Sequence, residues 1–470
     1  MRRSSIVKLG FVPIKRNVFD MQIPIDTKYA IEEKIRSLTP SDSVELVDCN
    51  DIAPDGLIYE LADIQKVINK MKAAGVDGLF IPHCNFGTEE VAIRVAKALK
   101  VPVLLWGPRD MLPVPGEIRK QDTQCGLFAT SKGLLRSNTT FSYIVNCHLD
   151  DPSFSKGFYQ FLQTVSIVQA FRKKMRILQI GNRPRPFFSV MCNESDLFQR
   201  FNVEVVPQPY YELVNRMNAM VKENGEEFRF ALDELCKRVD VSRMTEENIK
   251  KVVALIEVTD ELAKQNDCYA VAGECWTLYP HTIGIRPCFV NGELTARGLP
   301  VSCETDVLGA ISSVLMQAAD FDRTVTFFAD VTIRHPENNN AELLWHCGPF
   351  PNCLKAADEK GFVNELGKAQ WRIKDGPISI CRLDGVGDEY SLLVGEGKTV
   401  AGPPTESTYC WFEADNWERW EEKLIFGPYI HHLTGMHGNF GRVLAEACRY
   451  MPGVKLDAME TYPLSLGREV

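Results

Sequence analysis

Along the first third of the chain, short apolar runs alternate with longer stretches whose apolar positions recur at helical spacing. Residues 5–13 read as a strand and 27–38 as a helix, followed by a strand at 44–50 and a helix over 57–74. Buried strands are expected at 78–84 (GLFIPHC) and 101–107 (VPVLLWG), with a helix over 87–100 between them. A further strand falls at 143–148, and a long amphipathic helix at 153–174. This βαβ rhythm implies a parallel sheet with helices on both faces, and ligands beyond the carboxyl ends of its strands. Those ends carry Lys15 and Arg16, the run from His83 to Asn85, and Trp106 with Arg109.

A second α/β unit starts at Met175. MRILQIG reads as a strand that ends in the polar loop GNRPRPF. A short helix near 196–201, a strand at 203–207, mostly helical sequence over 211–264 and a strand at 269–273 follow. The next segment, GECWTLYPHTIGIRPC, holds too many turn formers for a long regular element. Residues 306–319 read as a helix, with Asp306 as its cap or first-turn carboxylate. From about Phe321 the texture changes to short runs rich in Val, Thr, Phe and Ile (TVTFFADVTI, AELLWHCG, GPISICRLDG, EYSLLVGEG), separated by Gly, Pro, Asn and Asp. That pattern predicts a small β-barrel or sandwich. One helix returns at 441–450. The expected class is therefore α/β followed by a β-rich, barrel-like domain, with boundaries at 1–174, 175–320 and 321–470.

Composition narrows the partners. The 470 residues carry a net charge of −9, which argues against nucleic acid or an anionic membrane as the main partner. The 15 cysteines are odd in number and have no CxxC pairs, a pattern of reduced thiols rather than of a disulfide framework. The N-terminal segment has no signal-peptide apolar core, and no run reaches the length of a membrane span. A cytoplasmic protein is expected.

The candidate chemistry lies in charges placed within apolar sequence. Glu304 opens an apolar helix, Asp330 closes an apolar strand, and His346 lies in a third apolar run. Burying an unpaired charge costs several kcal/mol, so such carboxylates need a partner, and a bound cation is one. Two carboxylates plus histidine suit manganese, zinc, iron or cobalt. His431 and His432 are adjacent, and neighbouring residues on an extended segment point in opposite directions, so one of them is expected to face a given site. Neither GxxxxGK[ST] nor GxSxG occurs, which removes the anchors for nucleoside-triphosphate and serine-hydrolase chemistry. Cys347, among apolar neighbours, reads as an inert buried thiol. Trp276 and Trp345 are candidates for stacking on a sugar face or for the core. Arg183 and Arg185, in the strand-end loop, are either solvated or matched to an anionic group on a substrate, such as a sulfonate, phosphate or carboxylate.

The segments CETDVLGAISSVLMQ, FFADV, LLWHCG and HHLTGMHGNFGRVLAEA, together with LGFVPIKRNVFD near the start, resemble the L-fucose/L-arabinose isomerase superfamily, above all its shorter L-fucose isomerase-like members. The resemblance spans most of the chain. It implies two Rossmann-like α/β domains and a C-terminal β-rich domain, a divalent metal (usually Mn2+), and aldose–ketose interconversion through an enediol. Matched residue by residue, it implies Glu304, Asp330 and His432 as metal ligands, with Glu304 and Asp330 sharing the proton shuttle. His431 stands where the family has asparagine and Leu433 where it has glycine, so His431 stays open as the alternative ligand. His346 matches a further active-site histidine of the arabinose branch, as a fourth ligand or a substrate contact. Arg16 resembles an N-terminal arginine that reaches the site of a neighbouring subunit. Homotrimers or homohexamers with inter-subunit sites are implied in turn. The sugar is left open among deoxy, pentose and anionic types. Two other readings compete: a non-catalytic sugar-binding or regulatory protein built on two α/β lobes, and a metal-dependent aldolase or epimerase that shares the enediol chemistry.

Overall fold

A computed structural model describes residues 6–17, 21–117 and 119–468. Ser5, the first residue of the expected N-terminal strand, and residues 18–20, the end of the LGFVPIKRNVFD segment, lie outside the described residues. The chain divides into two compact units, one formed by 6–169 with 449–452 and 461–468, the other by 170–448 with 453–460.

The first unit holds a five-stranded parallel sheet of β1 (Val7–Phe11), β2 (Val44–Val47), β3 (Gly78–Pro82), β4 (Val103–Trp106) and β5 (Ser142–Tyr143), in the order β2-β1-β3-β4-β5. β3 is buried at every residue, as expected of a central strand covered on both faces. The helix Ile64–Ala74 presents Val67, Ile68 and Met71 to this core, and Glu89–Leu99 presents Val91, Ala92 and Val95. Gly75 ends the former helix at φ 67°, a left-handed position that costs a residue without Cβ least. The helix Thr123–Arg136 is absent from the sequence reading, because its glycines (Gly126 and Gly133) and its Thr and Ser residues obscure the helical signal. Gly126 is there because a Cβ would stand 1.7 Å from the Phe86 carbonyl oxygen.

The second unit begins with a four-stranded parallel sheet of β6 (Met175–Ile180), β7 (Val203–Gln208), β8 (Ala270–Gly273) and β9 (Val301–Cys303), ordered β7-β6-β8-β9. The short β9 is not anticipated from the sequence. The turn-rich stretch after β8 contains two helices, Leu278–Thr282 and Cys288–Ala296. The remaining strands are β10 (Thr326–Arg334), β11 (Ala341–His346), β12 (Phe362–Val363), β13 (Ala369–Arg372), β14 (Pro377–Val386), β15 (Glu389–Val400), β16 (Thr408–Glu413), β17 (His432–His437) and β18 (Val454–Ala458). Six of them, β16-β11-β10-β17-β14-β15, close into a barrel through the β15–β16 pairing, with β12, β13 and β18 added at its margins. The fold class read from the sequence, parallel α/β sheets followed by a β-barrel, is borne out.

The helix Val307–Ala318 is buried at every position. Its residues bond to the barrel: Ser312 Oγ accepts from Leu383 N at 2.8 Å, and Ser313 Oγ meets Thr434 Oγ1 at 2.9 Å. Along β10, alternation sends Phe327 and Ala329 into the main core with Leu344, Ile380 and Leu433. Phe328 turns to the opposite face, where it packs on Cys275 and Cys303, and Asp330 shares its parity. No described helix is long and apolar enough to cross a membrane.

Candidate active site

Three adjacent strands of the second parallel sheet deliver side chains at their carboxyl ends, where open α/β sheets place ligands. β6 is followed by the loop with Arg183, Arg185 and Phe187, β8 by Cys275 and Trp276, and β9 by Glu304. The barrel supplies the rest. In its ladder Asp330 lies opposite both His432 and Trp345, with His346 closing β11.

The turn after β9 is held in an unusual shape. Glu304 and Thr305 both have left-handed backbones, at φ 55° and 56°. For a β-branched threonine this is a genuine outlier, and such positions cost on the order of 1–3 kcal/mol each. Neighbouring bonds enforce it: Thr305 N donates to Gly273 O at 3.2 Å, Asp306 N to Cys303 O at 3.1 Å, and Ser302 Oγ to Asp306 O at 2.7 Å. Asp306 then caps the following helix, accepting from Gly309 N at 2.9 Å. Gly309 itself cannot carry a side chain, since a Cβ would stand 2.6 Å from the Phe328 ring.

Four polar atoms converge. His432 Nε2 lies 3.5 Å from Glu304 Oε2 and 3.4 Å from Asp330 Oδ1; His346 Nε2 lies 3.9 Å and 3.7 Å from the same two oxygens. Glu304 Oε2, Asp330 Oδ1 and His346 Nε2 are buried with no hydrogen-bond partner among the described residues. Buried polar atoms are rarely left unbonded, so three at one point mark a place for something else. Glu304 Oε2 and Asp330 Oδ1, with His432 Nε2 at 3.5 and 3.4 Å from them, fit a divalent cation, and the donor set suits Mn2+, Zn2+, Fe2+ or Co2+. His431 also reaches Asp330: one donor atom from each of Asp330, His431 and His432 lies within 4.8 Å of the others. His432 is buried beside Glu304 and Asp330, whereas His431, just before β17, is exposed.

The other oxygen of Glu304 is occupied. Oε1 accepts from Trp276 Nε1 at 2.9 Å and from the Cys275 thiol at 3.1 Å, which leaves Oε2 directed at the histidines. Burial raises the Glu304 pKa, and the His346 and His432 rings offset part of that rise. Burial also works against the charge on Asp306, yet Arg382 and His432 hold that carboxyl well below the usual range. His346 Nδ1 accepts from Cys347 N at 2.8 Å, so a neutral ring carries its proton on Nε2. Burial pulls the His346 pKa down, but Asp330, Cys347 and Glu304 together push it up to about 10. Cys347 is half-buried, and Cys288 and His346 draw its pKa down against the effect of burial.

The remaining candidates divide. Phe187 packs its ring 5.1 Å from Trp276, 5.7 Å from His431 and 5.5 Å from His432, which seats its loop beside the converging atoms. In that loop Arg183 donates to Phe187 O at 2.9 Å and braces its own backbone, whereas Arg185 is exposed and unpaired among the described residues. Trp276 is 40% exposed, with its indole N–H committed to Glu304. Trp345 donates to Glu406 O at 2.7 Å and stacks near His346 at 6.4 Å. Arg16 belongs to the first unit, where its guanidinium meets Glu89 at 3.1 Å and lies 4.0 Å over the Phe86 ring. The sequence reading missed Cys275, Arg382 and Asp384 as neighbours of the site. Arg382 and Asp384 carry the same signal as Asp330, a charge inside an apolar strand, and were open to the same argument.

Residues 10–172 match the model of the fucose/sulfoquinovose isomerase N-terminal domain. The converging residues lie outside that span, but full-length similarity extends over them. A sulfoquinovose isomerase from Priestia aryabhattai is 21% identical over 455 residues, covering 94% of this chain and 97% of its own. Another from Alkalicoccus urumqiensis is 20% identical over 405 residues, covering 84% and 86%. A third, from Clostridium sp. (strain MSTE9), is 22% identical over 280 residues, covering 60% and 61%. With a parallel α/β fold, a C-terminal barrel, the N-terminal match and these relatives along nearly its whole length, the chain is similar to the fucose isomerase-like proteins, and these similarities support an aldose–ketose isomerase.

Proposed function

We propose that this protein interconverts a sulfonated aldose, with sulfoquinovose as the leading candidate, and its ketose through an enediol, using a divalent metal held by Glu304, Asp330 and His432. The observation that carries the reading is the convergence of His432 Nε2 and His346 Nε2 on Glu304 Oε2 and Asp330 Oδ1 at 3.4–3.9 Å, three of the four atoms being buried and unpartnered among the described residues. A cation held by these residues, Mn2+ by family resemblance, would supply Lewis acidity and stabilise developing negative charge.

The protein's own groups account for the proton. One carboxylate of the Glu304–Asp330 pair takes the C2 proton of the aldose, and the C–H electron pair becomes the C1–C2 double bond. The carbonyl oxygen at C1 gains a proton, for which His346 Nε2–H is the placed donor, and the enediol results. The carboxyl returns its proton to C1 and the O2 proton passes to His346 Nε2, so the ketose forms with both protein groups restored. Glu304 suits the base role because Trp276 and Cys275 fix Oε1 and leave Oε2 to react. His346 serves as a donor to the substrate rather than as a fourth ligand, because its Nδ1 is taken by a backbone N–H.

Arg185 is the residue for the sulfonate: it is exposed and unpaired among the described residues, and the ring contacts of Phe187 seat its loop beside the site. The proposal extends to a cytoplasmic homotrimer or homohexamer in which Arg16 of one copy completes the site of another. The test is turnover of sulfoquinovose and of a neutral aldohexose by metal-stripped protein, with and without added Mn2+. Metal-restored conversion with preference for the sulfonated sugar is expected. Equal turnover without metal, or no turnover of any aldose, refutes it.

A further inference from the structure

We propose that Asp306 is a positioning residue that fixes the His432 ring with its Nε2 lone pair facing Glu304 and Asp330, and that Arg382 holds Asp306 in place for this. The inference rests on the metal-dependent reading above. Asp306 has more bonding than a helix cap needs. Oδ1 serves the cap, accepting from Gly309 N at 2.9 Å and from Arg382 Nη2 at 3.1 Å. Oδ2 faces His432 Nδ1 at 3.0 Å and also takes the Arg382 Nη1 hydrogen. Arg382 is anchored from its other side by Asp384, at 2.9 Å from Nε and 2.7 Å from Nη2. Asp306, Arg382 and His432 are each 1% exposed, so no solvent competes for these bonds.

An ionised carboxylate only accepts hydrogen bonds, so the ring proton of neutral His432 sits on Nδ1. That leaves Nε2, the atom 3.4 Å from Asp330 and 3.5 Å from Glu304, as a free lone pair directed at the carboxylates. Metal-binding histidines commonly donate their second ring N–H to a carboxylate, which sets tautomer and orientation. Here the carboxylate comes from two residues beyond Glu304. One turn therefore supplies a ligand with Glu304 and orients another through Asp306, and this explains why the strained backbone at Glu304 and Thr305 is kept.

The test is calorimetric titration of Mn2+ into metal-stripped wild type, Asp306→Asn, His432→Gln and the double variant. Asparagine keeps a capping oxygen for Gly309 but not the charge or the obligatory acceptor. Asp306→Asn is expected to weaken Mn2+ binding by about 10–100-fold, and to add nothing once His432 is glutamine. Binding by Asp306→Asn within about twofold of wild type, or a loss fully additive with His432→Gln, overturns the inference while leaving the metal reading intact. Wild type that binds no Mn2+ overturns both. If Asp306→Asn does not fold, histidine nitrogen NMR on the Mg2+-loaded wild type decides: an Nδ1–H tautomer at His432 supports the inference and an Nε2–H tautomer overturns it.

Discussion

Trp276→Phe separates two roles for an aromatic residue beside Glu304. The substitution keeps a ring to pack on Phe187, now 5.1 Å away at 85°, and removes the indole N–H that reaches Glu304 Oε1 at 2.9 Å. A hydrogen bond to a charged group is worth roughly 1.5–3 kcal/mol. The lower end applies, because Trp276 is 40% exposed and the Cys275 thiol still donates to the same oxygen at 3.1 Å. About 1.4 kcal/mol is a factor of ten, so kcat/KM on the sulfonated aldose should fall about tenfold, with most of the loss in kcat. Mn2+ affinity should fall by a similar factor, and the melting temperature should change little. Steady-state ketose formation and calorimetric Mn2+ titration provide the two readouts. A rise in KM alone, with kcat and metal affinity unchanged, would make Trp276 a stacking platform for the sugar and refute the positioning argument. A loss of a thousandfold or more would also refute it, since one shared hydrogen bond cannot supply that much.

Other outcomes follow from the same geometry. Glu304→Gln keeps the shape of the side chain but can neither bind a cation as an anion nor accept the C2 proton; kcat should drop by about 10²–10⁴-fold in a Mn2+-replete assay, and unchanged turnover would exclude it as the base. Arg185→Ala should raise KM for the sulfonated sugar by about tenfold while a neutral aldohexose shifts by less than about twofold, so an equal effect on both would remove Arg185 from anion recognition. Glu342 lies on β11 opposite Arg334 of β10, where burial, with Glu421 nearby and Arg334 in opposition, raises its pKa to about 7. A carboxyl with a raised folded-state pKa favours the folded protein in its protonated form, so its penalty grows as pH climbs from the ordinary carboxyl range through 7. Glu342→Gln should therefore stabilise by about 1 kcal/mol near pH 8, after allowing for solvent screening, and by little near pH 5; equal melting shifts at both pH values would contradict this.

The sequence carried the site's centre for a physical reason: Glu304, Asp330 and His346 are charges set in apolar runs, and burial makes such placements costly without a partner. The same rule pointed to Arg382 and Asp384 and went unused there, because a charge pair within one strand reads as self-satisfied. What could not be read was local geometry. The left-handed turn at Glu304 and Thr305 follows from a three-residue strand too short to give a periodic signal. Asp306 was legible as a cap, whereas its bond to His432 joins residues 126 positions apart. Strand alternation separates His431 from His432, and the structure buries the His432 ring at the site while His431, one residue before the strand, is exposed. In the first unit, the glycines that let the helix Thr123–Arg136 approach the Phe86 carbonyl also erased its pattern.

The central claim, isomerisation through an enediol at a metal held by Glu304, Asp330 and His432, is tested most directly in heavy water. Sulfoquinovose is incubated with metal-stripped protein and with the same protein after Mn2+ is restored; each reaction is then quenched with chelator and its products read by proton NMR. The account predicts a single ketose bearing deuterium at C1, formed with Mn2+ restored and absent without it. Ketose with no deuterium, carbon–carbon cleavage products, or equal conversion by the stripped protein would contradict it.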